Sequence, residues 1–247
     1  VVNPNSTASM TVKIGVVARR AASPGTQIVA VNPDEGPTAI EGCFDGALCV
    51  PGLLKEIARG EREEVDGHII ACFDDTGLDA ARALATAPVI GIGEAAFHLA
   101  SLVAHRFSVV TTLSRSIATI ESNLIRYGLS TRCAGVHSAD VSVLSLEDQH
   151  SQARAEINVA VGRALSRDRS EAIVLGCAGM ADLAAALSAE HGVPVIDGVA
   201  AAVKLVEGLT ALGLRTSKIS SYAPPLPERH KNFFTIREQG ASSALLR

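Results

Sequence analysis

One segment of the chain occurs twice. His68-Ile69-Ile70-Ala71-Cys72-Phe73-Asp74-Asp75-Thr76-Gly77 runs through an Ala-rich stretch into Pro88-Val89-Ile90-Gly91. Ala172-Ile173-Val174-Leu175-Gly176-Cys177-Ala178-Gly179-Met180 runs through another into Pro194-Val195-Ile196-Asp197. Each copy spells an apolar run, a helix-forming stretch and a second apolar run. That is the pattern of parallel strands, buried on both faces and joined by a helical crossover. The Cys72-to-Pro88 and Cys177-to-Pro194 distances differ by one residue.

The flanking elements repeat as well. Val1-Val2 reads as the tail of a strand, followed by the loop Asn3-Pro4-Asn5-Ser6-Thr7 and a helix to about Ala21 that Ser6 or Thr7 can cap. Residues 26–31 are β-branched and strand-like, and residues 32–37 form a turn-rich loop. A helix in two pieces around Pro51-Gly52 is predicted next, and another over residues 94–103. In the second half, strands at residues 107–110 and 133–137 bracket a helix over 115–127 that Gly128 closes. A long helix over 147–165 precedes the Cys177 strand, and a helix over 198–212 follows the Pro194 strand. The expected fold is α/β, with two pseudo-symmetric α/β domains, each holding a four-stranded parallel sheet, and the active site in the interdomain cleft. The boundaries read as 1–96 plus 213–247 for the N-terminal domain and 97–212 for the C-terminal one. The tail from Thr216, with Pro224-Pro225-Leu226-Pro227, returns to the first domain.

Composition removes several function classes. Of 247 residues, 22 are Lys or Arg and 26 Asp or Glu, a balance that gives no electrostatic case for nucleic acid or an anionic membrane surface. No apolar stretch approaches a spanning helix, and no signal peptide is read before the first strand. Five cysteines without C-x-x-C pairs suit neither a disulfide framework nor a zinc site, so a reducing cytoplasm is the expected location. The histidines show no metal-ligand spacing and no lysine sits at a repeated strand end, so neither a metal nor pyridoxal is expected.

The cysteines carry the chemical signal. Cys43, Cys49 and Cys133 sit in no repeated context and read as small buried hydrophobes. Cys72 and Cys177 occupy equivalent points, each leading into a helix whose N-terminal dipole favours thiolate. Neither has a histidine in a matching place, since His68 lies about 13 Å back along the strand from Cys72. Redox partners would sit close together, whereas pseudo-symmetric walls hold a ligand between them. An acid and a base on opposite faces of one carbon invert a stereocentre, with a carbonyl that accepts amide hydrogen bonds as the electron sink.

Asn3-Pro4-Asn5-Ser6-Thr7, Gly36-Pro37 with Ile40-Glu41-Gly42, Ala71-Cys72-Phe73-Asp74-Asp75 and Gly176-Cys177-Ala178-Gly179-Met180 together resemble the hydantoin racemases, of the cofactor-independent Asp/Glu racemase superfamily. The resemblance covers essentially the whole chain. It implies no cofactor, Cys72 and Cys177 as the acid/base pair, a 5-monosubstituted hydantoin as small-molecule substrate, and a homo-oligomer. Allantoin racemases are close relatives. Amino-acid racemases of the superfamily place polar residues after their cysteines to hold charged groups. Phe73 and Ala178 suit instead a neutral ring held through backbone groups. Arylmalonate decarboxylase types keep one cysteine only, and the dianionic substrate of maleate isomerase types would need polar anchors. A two-lobed binding protein with incidental cysteines is the rival from outside the enzymes.

The candidate substrate-binding residues are Asn5, Ile40, Phe73, Thr76, Gly77, Thr111, Thr112, Ala178 and Gly179. Capping or turn roles compete for Asn5, Thr111 and Thr112, and core packing competes for Phe73 and Ile40. Asp74-Asp75 reads either as part of a helix cap at Asp75 or Thr76, or as a carboxylate that keeps the nearby thiol protonated. Gly91-Ile92-Gly93-Glu94-Ala95-Ala96 matches a dinucleotide fingerprint but follows the fourth strand, not the first, so nucleotide binding is rejected.

Overall fold

A computed structural model of the protein describes residues 1–148 and 150–226. The first half contains α1 (Ala8–Ala21), α2 (Cys43–Arg62), β1 (His68–Ile70), α3 (Leu78–Leu84), β2 (Val89–Gly91) and α4 (Ile92–Val103). The second contains β3 (Phe107–Thr111), α5 (Ile117–Arg126), β4 (Cys133–Ser138), α6 (Ala153–Asp168), β5 (Ala172–Leu175), α7 (Ala184–His191), β6 (Val195–Asp197) and α8 (Gly198–Ala211).

β4-β3-β5-β6 form a parallel four-stranded sheet. β1 pairs in parallel with β2, and Val2 bridges in parallel to Val31 on one side and Ile70 on the other. The order is therefore the same in both halves. The first sheet differs from expectation in that its first two members, at Val31 and Val2, are single bridges. Residues 29–31 are tied to the first segment through Val1 N–H to Val29 O at 2.8 Å, Val31 N–H to Val1 O at 3.0 Å and Asn3 N–H to Val31 O at 2.8 Å. A ladder this short makes no named strand.

One apolar core spans both halves. Ile69, Phe73 and Ile90 from the first sheet pack with Phe107, Val109 and Val174 from the second, with α1, α4 and α8 between them. Phe97 of α4 is its hub, edge-on to Phe73 at 5.3 Å and stacked on Phe107 at 6.1 Å. Such aromatic pairs add to the burial of the rings and fix their orientation.

Two helices depart from the sequence reading. α2 is continuous through Pro51. Cys49, Leu53 and Ile57 are buried at four-residue spacing along it, and that seam outweighs the one amide bond a proline removes. α6 begins at Ala153, not 147. Asp148 accepts from His150 N–H at 2.8 Å and Ser151 donates to Ser145 O at 2.6 Å, local side-chain bonds that compete with helix. The tail does return to the first half. Thr216 bonds to Thr86 O and Ala87 O, and Tyr222 OH donates to Asp79. Pro227 and the rest of the predicted N-terminal domain, 228–247, lie outside the described residues. No helix among the described residues is long and apolar enough to cross a membrane.

Candidate active site

β1 ends at Ile70 and β5 at Leu175, and each sheet delivers a cysteine two residues later. Both thiols open onto one narrow pocket of about 40 Å³ outside the C-terminal ends of the strands. Its lining is Asn5, Met10, Ile40, Ala71, Cys72, Phe73, Asp74, Thr112, Ser116, Val143, Gly176, Cys177 and Ala178. Ile40 follows the bridge at Val31 and Val143 follows β4, so the repeat supplies one apolar wall from each half.

The two thiols have matching supports. The backbone amides of Asp74 and Gly179, two residues on in each case, act to lower the thiols of Cys72 and Cys177. Burial pushes the Cys177 thiol up to about 11 and the Cys72 thiol well above its usual range. That corrects the expectation that a helix dipole holds both low. α3 begins only at Leu78, beyond the reach of Cys72, and Cys177 precedes a short 3-10 segment, Ala178–Leu183, not an α-helix. Asp74 lines the pocket, its own carboxyl pushed up to about 6 by burial, and its negative charge raises both thiols further. Lys13 acts in the opposite direction on Cys177.

Among the candidate binding residues, Asn5, Ile40, Phe73, Thr112 and Ala178 line the pocket with the two cysteines. Thr76, Gly77, Thr111 and Gly179 do not. The Thr76 hydroxyl lies 3.9 Å from Cys72 Sγ, behind it. Gly77 caps α3 at φ 76° over Val50 and Leu53, which a side chain there would meet. Thr111 Oγ1 donates to Gly176 O at 3.0 Å, and Gly179 sits beneath Cys177 against Leu146. Met10, Ser116 and Val143 are pocket residues that the sequence reading did not name. Two had a usable signal in the repeat, since Val143 and Ser116 fall on loops equivalent to those of Ile40 and Asn5. Met10 faces the pocket one turn into α1 and had none. Of the other thiols, Cys49 is buried, Cys133 half-buried, and Cys43 exposed at the first turn of α2, contrary to expectation.

Neither Asp75 nor Thr76 caps α3. Asp75 reaches across instead to the start of α4, accepting from Gly93 N–H at 3.0 Å, Glu94 N–H at 2.7 Å and Tyr127 OH at 2.8 Å. In the second half Asp197 caps its own helix, α8, through Val199 and Ala200 N–H. Gly91 stands at the equivalent of Asp197, opposite Ile70 as Asp197 is opposite Leu175. A Cβ at Gly91 would lie 2.1 Å from Asp75 Oδ1, and one at Gly93 2.4 Å from Phe73 O. The apparent nucleotide fingerprint thus makes room for the Cys72 loop, and Asp75 holds the helix N-terminus that a phosphate would need.

Comparison with known proteins fits this geometry. Residues 1–206 match the Asp/Glu/Hydantoin racemase family. The chain belongs to that family. It is 47% identical over 224 residues to a hydantoin racemase of Rhizobium meliloti, covering 91% of this chain and 93% of the relative. It is 52% identical to an allantoin racemase from Klebsiella pneumoniae, whose solved structure superposes with a TM-score of 0.89 over 91% of both chains. A glutamate racemase from Francisella tularensis, at 18% identity and a TM-score of 0.64 over 88% of this chain and 83% of that one, shares the fold. The protein is therefore an enzyme of a racemase family.

Proposed function

We propose that the protein racemises 5-monosubstituted hydantoins by proton transfer at C5 between Cys72 and Cys177. The observation that carries this is the equivalent placement of two thiols, from two sheets, on one narrow pocket. One thiolate takes the C5 proton and becomes a thiol. The electron pair delocalises into the adjacent ring carbonyl. The opposite thiol then gives its proton to the other face and becomes the thiolate, so product release leaves the sulfur roles exchanged. The carbonyl is the electron sink, so the step needs no cofactor. Desolvation of the closed site raises thiolate basicity, which matches a weak carbon acid better than a thiol of ordinary pKa does.

Stereospecific exchange tests this reading. Cys72→Ser and Cys177→Ser should each lose racemisation yet retain C5-proton exchange with D2O for one enantiomer, opposite in the two variants. Exchange of the same enantiomer by both, or racemisation by either, refutes the opposed-thiol step.

Allantoin is the second reading, being a hydantoin with a ureido substituent. The 52% relative favours it, as do Thr112, Ser116 and Asp74 on the pocket wall, which offer a ureido group hydrogen bonds. Met10, Ile40 and Val143 favour an apolar substituent. Comparing turnover of 5-ureido and 5-alkyl hydantoins decides between them. We assign residues 1–96 with 213–247, and 97–212, as the two domains, on the grounds of the two equivalent sheets and the return of residues 216–222 to the first. We also infer a homo-oligomer in a reducing compartment, supported by exposed Phe44 and Leu48 one turn apart on α2 and by the free cysteines.

A further inference from the structure

Lys13 extends from α1, one turn beyond the pocket residue Met10, across to the second half. Its Nζ donates to Gly179 O at 2.9 Å and to Leu146 O at 3.2 Å. Those are the two residues packed beneath Cys177, since a Cβ at Gly179 would meet Leu146 at 2.9 Å and Cys177 Sγ at 3.6 Å. Gly179 therefore has its carbonyl pinned by the Lys13 ammonium and lies directly against the Cys177 sulfur. Cys72 has no such arrangement. The groups that face it are Asp74, whose charge opposes a thiolate, the buried thiol of Cys49 and the hydroxyl of Thr76.

We propose that Lys13 is a positioning residue for Cys177, holding Gly179 against the thiol and bringing a positive charge close to it, so that Cys177, not Cys72, is the sulfur that gives up its proton more readily. This rests on the two-thiol reading above. The charged groups around the pair work in a defined sense. Asp74 from the Cys72 loop and Glu41 from the loop after Val31 oppose a Cys177 thiolate, and Lys13 favours it. Lys13 is in turn moderated by Asp182 at 3.5 Å and Glu147 at 3.9 Å, and Asp182 also pairs with Arg154. Lys13 keeps about a fifth of its side chain exposed, so its effect belongs at the low end of the range for a neighbouring opposite charge, about one pH unit.

The test reads the thiol itself, without turnover. The rate of Cys177 carboxamidomethylation by iodoacetamide is followed against pH by peptide mass spectrometry, which separates it from Cys43 and the other thiols. Lys13→Met should move the Cys177 midpoint up by about one pH unit, slowing alkylation about tenfold below it, while Lys13→Arg stays near the parent. Asp182→Asn should move the midpoint down, and it decides the matter alone if Lys13→Met does not fold. A Cys177 profile unmoved by Lys13→Met or by Asp182→Asn overturns the inference. The Cys72→Ser and Cys177→Ser exchange experiment fails or succeeds independently, so the two readings are separable.

Discussion

The two halves cap α4 and α8 from different positions, Asp75 in one and Asp197 in the other, and moving the first carboxylate to Gly91 tests this. Asp75→Gly removes the carboxylate that serves α4 while tolerating the backbone there, where φ is 50°. The change orphans the buried Gly93 N–H, for about 1–3 kcal/mol, and removes an N-terminal cap, for about 1 kcal/mol. A loss of about 3 kcal/mol is expected. Gly91→Asp alone is worse, because its Cβ would sit 2.1 Å from Asp75 Oδ1. The double variant should recover most of both losses. Gly91 has φ −83° and ψ 143°, close to the −90° and 128° of Asp197, so an aspartate fits the backbone. The carboxylate that Gly91→Asp introduces would stand two and three residues before Gly93 and Glu94, as Asp197 stands before Val199 and Ala200. Urea titration at pH 6 by far-UV circular dichroism measures the cycle, with a coupling of about 3 kcal/mol or more expected between the sites. Additive losses would refute the claim that one carboxylate position serves both helices. The C5 exchange assay on the double variant reports separately whether the Cys72 loop needs its tether.

The same buried carboxylates make stability fall as pH rises. Burial lifts Asp75 to about 7 and Asp197 to about 6. Each is raised above its unfolded value, so each holds its proton more tightly when folded. Their stabilisation is full below about pH 4 and lost as pH climbs through 6 to 7. At about 1.4 kcal/mol per pH unit, Asp75 alone accounts for a loss on the order of 4 kcal/mol between pH 4 and 8. His68, lowered by burial, acts in the opposite sense below about pH 6.5. The Val1 amino group, lowered to about 6 by burial, acts in that same opposite sense between pH 6 and 8, so the carboxylates dominate at lower pH, and a thermal melting temperature that rises from pH 4 to 6 would contradict this balance. Glu41 Oε1 accepts from Val143 N–H at 2.8 Å and its carbonyl accepts from Arg115 at 3.1 Å. The first bond ties the two apolar walls of the pocket together. Glu41→Ala should raise KM about fivefold, for a loss of about 1 kcal/mol, with kcat little changed. A fall in kcat at constant KM would place Glu41 in the chemistry instead.

The repeat made the parallel sheets and the shared position of the cysteines legible, because apolar strand runs and strand-end residues are encoded locally. The loops were not. Ile40 could be read as a wall, and the repeat placed Val143 on the equivalent loop, but residues 139–146 carry no periodicity to say which side chain there faces the pocket. Thr111 and Thr76 looked like pocket residues, yet each hydroxyl turns back, one to the Gly176 carbonyl and the other toward the Cys72 sulfur. Pattern placed the loop, while the rotamer decided which way the oxygen pointed. Asp75 was misread for the same reason. Its position fits a cap on the next helix in sequence, and only the tertiary fold brings α4 closer.

The departures from symmetry fall where a two-base mechanism needs them. A repeat kept identical would give both sulfurs the same proton affinity, and a resting site with one proton for two sulfurs would divide its charge evenly. This chain keeps the positions of the sulfurs and of their supporting N–H groups, then changes the residue that supplies each N–H. Asp74 brings a carboxylate beside Cys72, while Gly179 brings no side chain and offers its carbonyl to Lys13. The next position departs too, Asp75 reaching to α4 where Met180 is buried in the core of the second half. On the proposed two-base reading, shared geometry lets either face of the substrate carbon meet a sulfur, and unshared charge lets one sulfur begin as base and the other as acid.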